Sequence, residues 1–226
     1  MYIGSQYGSM TDEDIQVQAQ LGLRNVDQTP DEPWANWTTA MLEQMKERWA
    51  KHGIQLEMIH IPLGSRSAYD NEAGAIFLRP SDERDRQIDR MKETVRMAGE
   101  ADLRGLNYNI TILGHLRTPS KTGRGGATVS TFERHRLDDS VGDFEDGPAD
   151  EDEMWERIDH WLQQIMPVAE EYEVQMACHP SDPGIGVGNT YRGVARPLGM
   201  AEGFKKLIEL YDSPYNGLNF CQGCMT

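Results

Sequence analysis

Long apolar runs are missing from this 226-residue sequence, and none of its stretches approaches the roughly 20 apolar residues that a helix needs to cross a bilayer. Cysteine is scarce as well: three residues cannot build a disulfide framework. Positive charge is in short supply, with 22 Lys and Arg against 37 Asp and Glu and a net charge of -15. Nucleic acid and anionic membrane surfaces would both repel such a chain, so neither is expected as a partner. Small molecules are the expected ligands. No basic segment followed by an apolar one opens the sequence, and the expectation is a cytoplasmic protein.

What is present is an alternation of short apolar runs with helical periodicity. Strand-like stretches fall at 2–7, 23–28, 54–61, 105–113, 174–179 and 217–221. Between them, Thr11-Asp12-Glu13-Asp14 and Pro80-Ser81-Asp82-Glu83 read as helix N-termini, with acidic residues where the helix dipole favours them. Trp37, Met41, Met45 and Trp49 recur at helical spacing, as do Ile88, Met91, Val95 and Ala98. So do Met154, Ile158, Trp161, Ile165 and Val168, with Pro167 expected to kink the end, and Met200, Phe204, Leu207, Ile208 and Tyr211. Six strands alternating with five helices demand a parallel sheet flanked by helices. The count fits an α/β fold of the (β/α)8 TIM-barrel type, incomplete, with about six βα units in a single domain over 1–226. Residues 114–150 break the rhythm and read as a long inserted loop over the active-site face, its Asp- and Glu-rich part (137–153) simply solvated.

The chemistry concentrates at two strand ends. Ala177-Cys178-His179-Pro180-Ser181-Asp182-Pro183-Gly184 follows one apolar run, and Phe220-Cys221-Gln222-Gly223-Cys224 closes another. If both runs belong to one parallel sheet, His179 and Cys221 project from the same carboxyl edge, where an imidazole and a thiolate can share a divalent cation. Strand alternation turns Cys178 to the opposite face, as packing. Cys221 and Cys224 also spell Cys-x-x-Cys. A redox role is disfavoured because such a dithiol normally opens a helix, and no second pair completes a zinc site. Tyr108, Asn109, Arg117, Arg124 and Arg196 are the polar groups able to reach a carboxylated, hydroxylated ligand, arginine forks being suited to carboxylates. His52, His135 and His160 carry no signal.

These motifs resemble those of the mannonate dehydratase family, within the xylose-isomerase-like TIM barrels. The family's His-Pro-Asp-Asp-Pro-Pro is similar to His179-Pro180-Ser181-Asp182-Pro183-Gly184, and its Phe-Cys-Thr-Gly-Ser to Phe220-Cys221-Gln222-Gly223-Cys224. Tyr108-Asn109 ahead of Arg117-Thr118, and Arg196 ahead of the next helix, match in order. Ser181, Gly184 and Cys224 depart from the family pattern. The resemblance implies a hydro-lyase that converts D-mannonate to 2-keto-3-deoxy-D-gluconate, and a homo-oligomer. It also implies a divalent metal on His179 and Cys221, Mn2+ in first place with Fe2+ or Mg2+ as alternatives, and two further ligands, a His and an Asp, that the family draws from later strands. Asn109, Arg117, Arg124 and Arg196 would bind the sugar acid, and Tyr108 or Asp182 would handle a proton. A sugar isomerase or epimerase on the same scaffold, and an inactive or fragmentary sugar-acid-binding barrel, are the competing readings.

Overall fold

In the computed structural model, which describes residues 3–7 and 10–224, the alternation expected from periodicity is present. The elements run β1 (Ser5–Tyr7), α1 (Asp12–Gln20), β2 (Asn25–Gln28), α2 (Thr39–Ala50), β3 (Gln55–His60), α3 (Asp82–Glu100) and β4 (Gly105–Asn109). They continue with β5 (Thr118–Thr122), β6 (Thr128–Thr131), α4 (Glu151–Glu171), β7 (Gln175–His179), β8 (Thr190–Tyr191), β9 (Val194–Ala195), α5 (Ala201–Leu210) and β10 (Asn216–Leu218). Six strands pair in parallel in the order β1-β2-β3-β4-β7-β10, with β5-β6 and β8-β9 as separate antiparallel pairs. The architecture is an incomplete (β/α) barrel of six main strands and the five helices between them.

Helix starts follow local chemistry. The Thr11 and Asp14 side chains cap each other's backbone, and the Ser81 hydroxyl accepts from Arg84 N. Trp37 lies just before α2, buried in the turn that leads to the Thr38 cap. Strand β4 ends at Asn109, four residues before the expected end, and Ile110 and Ile112 pack as buried loop residues instead. The segment 114–150 contains the β5-β6 hairpin, which turns through Gly125 at a φ of 68°. The end of the acidic run is structural: Asp150 accepts from Glu153 N at 2.9 Å, which places Glu151, Asp152 and Glu153 in the first turn of α4. Three successive carboxylates oppose the helix dipole there, the favourable arrangement. Helix α4 runs on through Pro167 to Glu171.

The period-two alternation of the strands separates core from interior. In the β4-β7 ladder Tyr108 pairs with Cys178 and Asn109 with His179. Tyr108 and Cys178 point into the helix layer and are fully buried, Tyr108 lying 5.8 Å from the Trp161 ring of α4, which also meets Phe77 at 5.7 Å. Cys178 is therefore packing, and burial pushes its thiol up to about 12. The expected proton-transfer role of Tyr108 is corrected by the same alternation, since its ring belongs to the core between sheet and helices. Burial raises its hydroxyl well above the ordinary tyrosine range, so it stays protonated. Tyr108→Ala should open a cavity beside Trp161 and cost about 3–5 kcal/mol in urea denaturation, as expected for a large buried aromatic. Tyr108→Phe should leave ligand and metal binding unchanged in calorimetric titration.

Candidate functional site

The opposite, inward alternation gathers polar side chains. Gln6 from β1, Asp27 from β2, His60 from β3, Asn107 and Asn109 from β4 and His179 from β7 all lie near the carboxyl edge of the sheet. Parallel barrels keep their chemistry at that edge. Two clusters form there, joined through Asn109.

The first cluster is built on the loops after β7 and β10. His179 Nδ1 lies 2.8 Å from the Pro180 carbonyl oxygen, which assigns the ring proton to Nδ1 and leaves the Nε2 lone pair available. The Asn109 amide nitrogen lies 3.2 Å from the same Nδ1 and packs beside the ring. One ligand atom each from His179, Cys221 and Cys224 lies within 4.8 Å of the others, all three residues being half-buried. The two thiols are 3.3 Å apart across a 3-10 turn at Gln222–Cys224. Burial and the Cys221 thiol raise the Cys224 thiol to about 12. An imidazole with a free lone pair and two adjoining thiols is a donor set that suits a divalent cation.

A carboxylate stands next to these donors. Asp182 takes the Arg117 guanidinium in a fork of 3.1 and 2.6 Å, and His115 Nε2 lies 3.7 Å away. Partial burial would raise the Asp182 pKa, but the Arg117 fork, His115 and Arg196 outweigh it and hold the carboxyl below its ordinary value. Arg196 has another role. It is buried, and its Nε, Nη1 and Nη2 donate to the carbonyls of Pro183, Gly114 and Asp182 at 2.9, 2.8 and 3.1 Å. The substrate contact expected of it gives way to a structural one, because those donors tie the loop after β4 to the loop after β7. Burial lowers its pKa to about 10, so it remains charged at neutral pH. Gly184 completes the same junction. A Cβ there would lie 2.3 Å from the Gly199 carbonyl oxygen, so only glycine allows the two backbones this approach.

The second cluster was not singled out from the sequence. Asp27 is partly buried between Asn107 Nδ2, which donates to its Oδ2 at 3.1 Å, and Gln6 Nε2, which donates at 3.2 Å. His60 Nε2 lies 3.6 Å from the same oxygen and also contacts Gln6 and Asn107. Asp27 Oδ1 has no hydrogen-bond partner among the described residues. Burial drives the pair apart, Asp27 upward and His60 downward, each partly opposed by the other. His60 and Asn109 line a cavity of about 590 Å3, together with Gln6, Glu32, Trp37 and Arg66. The signal in the sequence was a polar residue at the carboxyl end of an otherwise apolar strand, as in Met58-Ile59-His60-Ile61. Of the expected site residues, the structure brings together Asn109, His179, Cys221, Asp182 and Arg117. Arg124 remains apart: it is exposed in the hairpin turn and has no hydrogen bond or ion pair with these residues.

Comparison with known proteins agrees with this geometry. The D-mannonate dehydratase (UxuA) family model matches residues 144–226, a span that contains His179, Asp182 and Cys221. The mannonate dehydratase of Thermotoga petrophila is 27% identical, aligned over 84% of this chain and 58% of its own length. That of Geobacillus thermodenitrificans is 28% identical over 84% and 56% respectively. Over most of its length the chain is thus similar to mannonate dehydratases. It spans somewhat more than half the length of these relatives. Among solved structures, the mannonate dehydratase from Streptococcus suis serotype 2 superposes with a TM-score of 0.76 over 96% of this chain and 62% of that one, at 22% identity. A D-psicose 3-epimerase crystallised with D-fructose superposes at 0.58 with 12% identity over 94% of this chain and 60% of that one, a likeness of fold alone.

The Asp27 cluster gives a stability prediction whose sign is fixed. Its pKa is higher in the folded than in the unfolded chain, so its contribution is fully present below the unfolded pKa and is lost as pH rises through the folded one. Asp27→Asn should therefore be more stable than the parent at about pH 7, by roughly 1–3 kcal/mol for a buried carboxylate with one oxygen unpaired. The difference should shrink as the pH falls and Asp27 takes up its proton. Urea denaturation at neutral and at acidic pH checks it, and a variant less stable at both would contradict the assignment.

Proposed function

We propose that the protein is a metal-dependent sugar-acid dehydratase that removes water from D-mannonate to give 2-keto-3-deoxy-D-gluconate. The observation that carries this reading is the convergence of His179 and Cys221 at the carboxyl edge of the sheet, in a chain similar to mannonate dehydratases. Elimination of water from a sugar acid takes a proton from the carbon beside the carboxylate and expels hydroxide from the next carbon. A divalent cation held by His179 and Cys221 would supply Lewis-acid stabilisation of charge on the substrate oxygens, an effect of several kcal/mol, roughly.

The chain's own residues supply the rest. His179 is held by the Pro180 carbonyl, so its Nε2 is presented in one orientation. Arg117 is exposed enough to release Asp182 for a substrate carboxylate, exchanging one carboxyl partner for another. Asp182 and His115 are then the ionisable groups closest to that exchange. On the cavity side, Asn109 and His60 offer hydrogen-bonding groups to hydroxyls, and Trp37 a wall that excludes water. The segment 114–150, which carries Arg117, would cover this face. We further propose a homo-oligomeric state, by resemblance. No helix among the described residues is long and apolar enough to cross a membrane. The isomerase or epimerase reading has support from fold likeness only.

Purified protein should contain a divalent metal, and His179→Ala and Cys221→Ala should each lose it together with any formation of 2-keto acid from D-mannonate. Arg117→Ala should retain metal while raising KM about tenfold or more, the loss of a charge-assisted contact. Turnover of D-mannonate in metal-free protein, or full metal retention in both ligand variants, would overturn the reading.

A further inference from the structure

Cys224 falls outside the ligand pair assigned above, yet its sulfur lies as close to the site as that of Cys221. A short 3-10 turn puts the two on one side: Cys224 N donates to the Cys221 carbonyl at 3.1 Å, and the two Sγ atoms stand 3.3 Å apart. His179 completes a triangle whose ligand atoms all fall within 4.8 Å of one another. A tetrahedral cation with metal–sulfur bonds of about 2.3 Å and a metal–nitrogen bond of about 2.0 Å needs ligand separations of about 3.5–3.8 Å. Shifts of an ångström or less therefore bring all three donors onto one ion.

We infer that Cys224 is a direct metal ligand, so that this chain binds its cation through an imidazole and two thiolates and selects a thiophilic metal, Zn2+ or Fe2+, over Mn2+ or Mg2+. The inference rests on the proposed metal site at His179 and Cys221 and corrects the metal expected there. Two thiolates neutralise a dication completely, and sulfur donors favour borderline and soft ions, whereas Mn2+ stands at the weak end of the divalent series and Mg2+ prefers oxygen.

The test uses the chain kept reduced with a phosphine, titrated with Zn2+, Mn2+ and Co2+ and compared with Cys224→Ser, Cys221→Ser and His179→Gln, the fold of each being checked by circular dichroism. The parent should take up one equivalent of Zn2+ and prefer it to Mn2+ by about 100-fold or more. Loss of an outer-shell partner alone costs roughly 10–100-fold, so Cys224→Ser should lower Zn2+ affinity by at least about 100-fold. Its Co2+ complex should lose about half of the near-ultraviolet thiolate-to-metal absorption, as should that of Cys221→Ser. Zn2+ should also protect Cys224 of the parent from iodoacetamide, a readout independent of any variant. If the parent and Cys224→Ser bind every metal alike, with Mn2+ held as tightly as Zn2+, Cys224 is not a ligand while the site at His179 and Cys221 stands. If the folded parent binds none of the three ions, the metal site and this inference fall together.

Discussion

The register of β4 against β7 is the constraint on which the rest depends. Pairing Tyr108 with Cys178 and Asn109 with His179 sends one pair outward into the helix layer and the other inward to the carboxyl edge. A slip of one residue would exchange the two, burying an imidazole under Trp161 and exposing a tyrosine ring inside the barrel. The outward pair is held by fully buried aromatic packing, so the inward orientation of His179 is enforced by the hydrophobic core rather than by the site itself. The geometry of the candidate site is thus inherited from packing.

Around that register, charge organises the loops. Arg196 stitches the carbonyls of Gly114, Asp182 and Pro183 together from a buried position, and the Gly184–Gly199 approach closes the same junction without side chains. Asp182 is left facing outward, where Arg117 from the other loop finds it. A buried arginine that satisfies backbone acceptors and an exposed one that forks a carboxylate look identical in sequence. Only burial separates the residue that shapes the site from the residue free to exchange partners.

Much of the fold was legible because the periodicities were strong: alternating apolar runs and helical spacing gave the order of strands and helices and the parallel sheet. The carboxyl-edge site was legible for a related reason, since His179 and Cys221 each follow an apolar run. Other features were not. Tyr108 sits beside Asn109 in a motif, and its outward direction follows from alternation that was applied to Cys178 but not to it. Asp27 and His60 stand among other polar residues in short strands of mixed character, and their meeting depends on β2 and β3 being neighbours in the sheet. Cys224 looked like a mere departure from a family pattern until the turn at Gln222–Cys224 brought its sulfur beside that of Cys221. In each case the missing information was direction, which a one-dimensional pattern encodes only when every strand boundary is right.

The central claim is that the inward, carboxyl-edge donors of this sheet form a cation site on the chain's own nitrogen and sulfur atoms. X-ray absorption at the metal edge of the zinc-loaded protein tests it most directly. The account predicts a first shell containing sulfur at about 2.3 Å together with nitrogen at about 2.0 Å. A shell of oxygen scatterers alone, with no sulfur, would contradict it.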